Sequence, residues 1–224
     1  MNLAYYPGCS LTGSARKLDK GVRLICDRLG HTLKEIPDWN CCGALEYGDR
    51  NELMAISGEN LRKAQGKEVL APCPACYKNL KDADSQHAFT ILNPLELLTP
   101  EALAGIEAKR DLKGRVFTAY YGCLLLRPEA TAIRNKYVME ELIASFGGEL
   151  EGEKVRDRCC GGNQLFVNKW ATEKLSKLII DKSRGTIVVF CPFCHMAMKT
   201  FSAGRKVVYV TDLLLYVMGE SNTL

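Results

Sequence analysis

Ten of the eleven cysteines in this 224-residue chain obey one spacing rule written twice. The first copy is Cys9, then Cys41-Cys42-Gly43, then Cys73-Pro74-Ala75-Cys76. The second is Cys123, then Cys159-Cys160-Gly161, then Cys191-Pro192-Phe193-Cys194. In both copies thirty residues separate the adjacent pair from the CxxC, and pairs and CxxC motifs are each offset by 118 residues. Only the leading interval differs, at 31 residues against 35. The flanks repeat as well: Tyr5-Tyr6-Pro7-Gly8 against Tyr120-Tyr121-Gly122, and Val69-Leu70-Ala71-Pro72 against Ile187-Val188-Val189-Phe190. A unit of about 115 residues is too long for a solenoid repeat, so the pattern implies duplication into two pseudo-symmetric halves.

Hydrophobic periodicity places these motifs. Leu3 to Tyr6 and Val116 to Tyr121 read as buried strands, each ending at the first cysteine of its set. Ser14 to Leu29 carries a helical stripe of Leu18, Val22, Ile25 and Cys26, with Gly30 as its stop. Ile133 to Phe146 is the matching helix, and Asn51 to Lys67 and Gln164 to Lys182 are expected as helices after the two CCG turns. The apolar runs before each CxxC, and Phe89 to Leu92 and Val207 to Val210 after them, read as strands. Short apolar helical segments follow at Leu95 to Leu98 and Leu213 to Tyr216. The expected architecture is α/β: two pseudo-symmetric halves, 1–105 and 115–224, each with a small, mostly parallel sheet flanked by helices. The cysteines fall on loops at strand ends. Thr99 to Gly114 reads as the connector.

Eleven cysteines need a reason. The N-terminus has neither a basic n-region nor a long apolar run, so the expected compartment is the cytoplasm, where thiols stay reduced and serve metal or redox chemistry. A formal charge of +4 is too weak for a nucleic-acid-binding face, and no stretch approaches the roughly 20 apolar residues of a membrane span. Thiolates select zinc, copper(I) or iron–sulfur clusters. Structural zinc takes four ligands, whereas each set offers five and includes an adjacent pair whose side chains tend to diverge. A multi-iron cluster suits such a set better, although one site could still hold zinc. The glycine after each pair would let the backbone approach a sulfide closely.

Tyr5-Tyr6-Pro7-Gly8-Cys9, Pro37-Asp38-Trp39-Asn40-Cys41-Cys42-Gly43, Tyr120-Tyr121-Gly122-Cys123-Leu124-Leu125-Leu126-Arg127-Pro128 and Cys159-Cys160-Gly161-Gly162 resemble the catalytic B subunit of heterodisulfide reductase. The wider group is the CCG-domain proteins, and the likeness covers nearly the whole chain. It implies two non-cubane [4Fe–4S] clusters, one on Cys9, Cys41, Cys42, Cys73 and Cys76, the other on Cys123, Cys159, Cys160, Cys191 and Cys194. It further implies a disulfide cleaved, or formed, with one sulfur at each cluster. Electrons would be exchanged with an iron–sulfur subunit linked to a flavoprotein subunit. The interval before each CxxC is shorter than the family's usual one, which bears on the loops of the substrate pocket rather than on the ligand set. Two other classes remain: an electron-transfer CCG subunit of another oxidoreductase complex, and a structural zinc scaffold.

The remaining candidates are single residues. Cys26 lies on an apolar helix stripe with no counterpart in the second half, and reads as a small buried hydrophobe. His195, directly after Cys194, is the candidate catalytic residue, able to donate a hydrogen bond to a cluster sulfur or a proton to a leaving thiolate. Cys191 to His195 also matches the haem-attachment spacing, but Cys73 to Tyr77 lacks the histidine. Trp39 is expected to pack over the first CC turn. Arg127, Arg156 and Arg158 are candidate contacts for an anionic substrate, or ordinary surface charge.

Overall fold

The computed structural model describes residues 1–45 and 48–224, and the chain divides into two compact units, Met1–Leu97 and Leu98–Leu224. In the first unit β1 (Asn2–Tyr5) leads through α1 (Gly8–Thr12) and α2 (Arg16–Arg28) to β2 (Thr32–Glu35). Then follow α3 (Arg50–Lys63), β3 (Glu68–Leu70), α4 (Pro74–Ala83), β4 (Thr90–Leu92) and a 3-10 turn over Pro94–Glu96. All pairings are parallel, in the order β2-β1-β3-β4. Ala4 stands opposite Val69, and Val69 opposite Ile91. The chain leaves β1 for β2 on one side and later returns to place β3 on the other. The crevice beyond the carboxyl ends of β1 and β3 is thus a topological switch point, where open α/β sheets hold their ligands.

The second unit repeats the plan. A short helix, α5 (Pro100–Leu103), precedes β5 (Val116–Tyr120), α6 (Cys123–Leu126), α7 (Val138–Ser145) and β6 (Glu149–Leu150). These are followed by α8 (Lys169–Ile180), β7 (Thr186–Val189), α9 (Pro192–Phe201), β8 (Val207–Tyr209) and α10 (Val210–Val217). The sheet order is β6-β5-β7-β8, again parallel throughout, with Ala119 opposite Val188 and Val188 opposite Val208. Strands with helices on both sides read as continuous apolar runs because neither face meets water. Ile187, Val188, Val189 and Phe190 accordingly have no exposed surface. Leu18, Val22, Ile25 and Cys26 form the inward stripe of α2 and are likewise buried.

Several elements differ from the sequence reading, each for a local reason. β2 and β6 fall outside the expected strands. They are short edge strands, largely exposed, and carry no alternating pattern. The helices after each CxxC are also additions, although Pro74 and Pro192 occupy their first turns, where a missing N–H is harmless. Two expected helices start late. α8 waits for Asn168, whose side chain accepts from the Ala171 N–H at 3.1 Å. Ahead of α7, Asn135 turns the chain by accepting from the Tyr137 N–H at 2.9 Å. The segment expected as a connector is built into the second unit. α5 packs on α7, the Leu112 N–H bonds the Phe146 carbonyl at 2.8 Å, and Leu103 and Leu112 are buried.

β3 carries the central packing of the first unit, with Leu70 fully buried between Tyr5 and Leu92. Leu70→Ala should cost about 2–5 kcal/mol of that unit's stability, read as a lower urea midpoint at unchanged slope.

Candidate metal centre

Each five-cysteine set assembles at the switch point of its own sheet. Cys9 and Cys123 sit in the first turns of α1 and α6, directly beyond β1 and β5. Cys73 and Cys191 cap α4 and α9 beyond β3 and β7, which puts Cys76 and Cys194 inside the first turns of those helices. The CC pairs arrive on the loops that follow β2 and β6. In the first set the Cys9 and Cys41 sulfurs lie 3.8 Å apart, and those of Cys42 and Cys76 3.3 Å apart. Cys41 also hydrogen-bonds Cys42, and Cys76 hydrogen-bonds Cys73, so the five form one connected chain of thiols. The second set repeats most of these contacts in two groups: Cys123 bonds Cys159, while the Cys160 and Cys194 sulfurs stand 3.3 Å apart and Cys191 bonds Cys194. No disulfide joins any of them.

Burial grades each set from floor to rim. Cys42, Cys73 and Cys76 are buried, Cys41 is half-buried and Cys9 is exposed. In the second unit Cys160, Cys191 and Cys194 are buried, Cys123 is half-buried and Cys159 is exposed. The rim thiols can therefore be reached from solvent.

The CC loops are held by the same device twice. The Tyr6 hydroxyl donates to the Asn40 carbonyl and the Tyr120 hydroxyl to the Arg158 carbonyl, both at 2.5 Å, which fixes the residue just before each pair. Ser57 and Ser176, inside the following helices, donate to the carbonyls of Cys42 and Cys160 at 3.2 and 3.1 Å. Asn79 adds a bond to the Cys42 carbonyl at 2.7 Å. Trp39 packs edge-on against Tyr6, with ring centroids 5.6 Å apart, on the approach to the first pair.

Sequence reasoning missed two glycines. Gly8 and Gly122 have φ of +67° and +76°, and a Cβ there would stand 2.8 Å from the Cys76 sulfur and 2.9 Å from the Cys194 sulfur. Each leaves space beside a buried sulfur that any side chain would fill. The glycines after the pairs serve otherwise. A Cβ on Gly43 would meet Leu53 at 2.7 Å, and one on Gly161 would meet Leu175 at 3.0 Å, so both permit close packing on the next helix. The Gly161 N–H also donates to the Cys159 sulfur at 3.3 Å. The signal in the sequence was the Gly-Cys dipeptide at the end of each first strand.

Crowding sets the electrostatics. The Cys9 and Cys123 thiols are pushed up, first by hydrogen bonds to Cys41 and Cys159, then by burial. Cys42 rises to about 12, first through its bond with Cys41. Cys76 and Cys194 rise well above the ordinary thiol value, first through their contacts with Cys42 and Cys160. Cys159 moves the other way, to about 6, because the Cys123 thiol donates to it, helped by the Gly161 N–H and the Arg127 charge against the opposing effect of burial. Five thiols this close cannot all ionise together, and a thiolate set becomes stable only around cations. Among the described residues no three or more His, Cys, Asp or Glu side chains stand placed for a metal ion, so the touching thiols would have to spread to admit one. The donor set, the graded burial and the space beside the floor sulfurs fit a multi-metal thiolate group.

These features correspond to a known domain. The model of the CCG cysteine-rich domain matches residues 3–81 and 117–199. The chain belongs to the CCG cysteine-rich domain family. It is 25% identical to the 8-methylmenaquinol:fumarate reductase membrane anchor subunit of Wolinella succinogenes, over 88% of this chain and 82% of that one. It is 23% identical to the B subunit of the ferredoxin/F420H2-dependent CoB-CoM heterodisulfide reductase of Methanosarcina acetivorans. It is 24% identical to the B subunit of the ferredoxin:CoB-CoM heterodisulfide reductase of Methanosarcina mazei. Each of these two alignments covers 99% of this chain and 87% of the relative. Among solved structures, a hypothetical protein from Helicobacter pylori matches with a TM-score of 0.72 at 11% identity. The match covers 99% of this chain but 49% of that one, so the CCG chain spans about half its length and the likeness is one of fold. Among the described residues of this CCG chain no helix is long and apolar enough to cross a membrane.

The other expected residues fall as follows. His195 lies on α9 and stacks on Tyr209, centroids 4.2 Å apart. Arg127 donates to the Asp157 carbonyl at 2.5 Å, on the CC-pair side of its unit. Arg156 is engaged in the core: its guanidinium lies 3.5 Å from Glu140, and its carbonyl accepts from Tyr121 and Gly122 at 3.0 Å. Arg158 contributes the carbonyl that holds Tyr120.

Cys26 stays apart from both sets, and burial pushes its thiol up to about 12. A raised acid binds its proton more tightly in the fold, so this group loses stability for the protein as pH climbs from its ordinary 9 towards 12. Cys26→Ala should reduce the alkaline fall in stability over that interval relative to the parent, read by denaturant titration at stepped pH. Its metal content should not change.

Proposed function

We propose that this chain is the disulfide-handling subunit of a heterodisulfide reductase-like oxidoreductase, with one non-cubane [4Fe–4S] cluster in each unit. The observation that carries the reading is the pair of five-thiol sets, each with a buried floor and an open rim, joined by no disulfide. Cys9, Cys41, Cys42, Cys73 and Cys76 would hold one cluster, and Cys123, Cys159, Cys160, Cys191 and Cys194 the other. The names of the three relatives are those of reductase subunits, which supports an oxidoreductase subunit; two of the names specify a heterodisulfide.

Bound clusters would supply the electrons, since a disulfide needs two electrons and two protons to become two thiols. The chain's own residues prepare the place. Tyr6, Tyr120, Ser57 and Ser176 fix the two CC loops, so that Cys41, Cys42, Cys159 and Cys160 are held beside the other cysteines of their sets. The buried cysteines keep water from the floor, and Cys9 and Cys159 leave the rim open to a sulfur substrate. Arg127 gives the second rim a positive charge that favours a thiolate or a carboxylate-bearing thiol. His195, one residue past Cys194, is the proposed proton donor to a leaving thiolate, with its ring held flat against Tyr209. An iron–sulfur subunit linked to a flavoprotein would exchange the electrons.

The fumarate reductase relative supports a second reading, in which the same clusters only relay electrons. Metal and sulfide analysis of protein purified without oxygen comes first. About eight iron and eight sulfide per chain are expected, with ten thiolates engaged. Cys42→Ala and Cys160→Ala should each lower the iron by about half, because the ligand sets lie in separate units. Two zinc and no sulfide would overturn the reading. Oxidation of dithionite-reduced protein by an organic disulfide separates reductase from relay. His195→Gln should slow that oxidation by about a hundredfold at unchanged iron content if the imidazole delivers the proton.

A further inference from the structure

The helix after the second CC pair carries large apolar side chains on its outer face, exposed among the described residues. Phe166 and Val167, on the turn before α8, are 80% and 84% exposed, and Trp170, Leu175 and Leu178 on the helix are 68%, 37% and 52% exposed. These five are most of the exposed large apolar side chains among the described residues, gathered in one 13-residue segment rather than scattered. Trp170, Lys174 and Leu178 stand at i, i+4 and i+8 and so form one row. The duplication supplies an internal comparison. Ser57 and Ser176 hold equivalent carbonyls, which aligns α3 with α8 and sets Trp170, Lys174 and Leu178 against Asn51, Ala55 and Glu59. The same helix is polar or small along this row in one half and mostly apolar in the other. Folding alone does not demand the apolar version.

The patch is also tied to the thiol site. Gly162, next to the CC pair's glycine, lies so close to the Phe193 carbonyl that a Cβ would come within 2.5 Å of it, and Phe193 separates the cysteines of the second CxxC. The turn that follows the second CC pair is thus packed directly against the CPxC motif. Lys169, Lys174 and Lys177 are exposed around the row, and the Lys174 ammonium lies 5.1 Å from the Trp170 ring centroid. Lys177 holds Glu173 at 2.5 Å. With Glu173 neutralised by Lys177, Lys169 and Lys174 leave the surround of the ring positive. An aromatic centre with a lysine fringe suits a protein whose apolar spot is rimmed by carboxylates.

We propose that this face of α8 docks the iron–sulfur protein that exchanges electrons with the chain, an acidic-rimmed partner seated beside the second five-cysteine set. The proposal rests on the functional reading above for the partner's redox role, while the docking face itself rests on the exposed row. The test places a photoreactive benzoylphenylalanine at position 170 of the full chain, expressed in the cells that make it, with position 51 as the control. A discrete adduct with an acidic iron–sulfur protein at 170, and none at 51, is expected. An adduct with lipid, with a second copy or with a protein lacking an iron–sulfur centre overturns the proposal, as does no adduct at all. In the isolated complex, Trp170→Glu should leave iron content and reduction by dithionite unchanged. Turnover driven by the native donor should fall tenfold or more, the loss typical of a buried aromatic anchor, and unchanged turnover would count against the proposal. If the parent protein proves to hold no clusters, the functional reading fails, whereas the adduct still decides the docking face.

Discussion

Bringing five sulfurs to one point at the edge of a parallel sheet is the constraint on which each unit depends. The strand order solves half of it. Since β1 and β3 are neighbours whose connections leave in opposite directions, the residues just beyond them open onto a common crevice, and the single cysteine and the CxxC occupy those positions. The CC pair has to be delivered from a loop. In both units a tyrosine at the end of the first strand therefore ties down the carbonyl just before the pair, and a serine from the next helix ties down the carbonyl of its second cysteine. Thiols packed this closely shift one another's ionisation, Cys42 upward and Cys159 downward, according to the hydrogen bonds between them.

Duplication has kept what the sulfurs need and released the rest. The tyrosine and serine clamps, the Gly-Cys approach and the proline-started helix recur in both units. Elsewhere the copies diverge. Tyr5, whose counterpart is Ala119, bonds Asp19 at 2.6 Å under the Arg23 guanidinium, and Tyr121, whose counterpart is Pro7, bonds Glu140 at 2.5 Å beside Arg156. Tyr6 and Tyr120, each three residues before the first cysteine, keep both place and role. The apolar row on α8 is another such divergence.

The cysteine spacing determined the two copies and the family, and the apolar periodicity around it determined the α/β alternation and the largely parallel sheets. They could do so because ligand positions and buried strands tolerate few residue types, so their pattern survives in the chain. Sequence alone also marked Cys26 as a buried bystander, since its neighbours share one helical stripe. What only the tertiary structure decided depends on contacts between residues far apart. Thr32–Glu35 and Glu149–Leu150 become strands because a central strand offers them hydrogen bonds, not because their own residues favour it. Arg156 is drawn inward by Glu140, sixteen positions away, a pairing that no local pattern encodes. Gly8 and Gly122 matter because each faces a sulfur about seventy residues further along the chain, a proximity that no local pattern encodes.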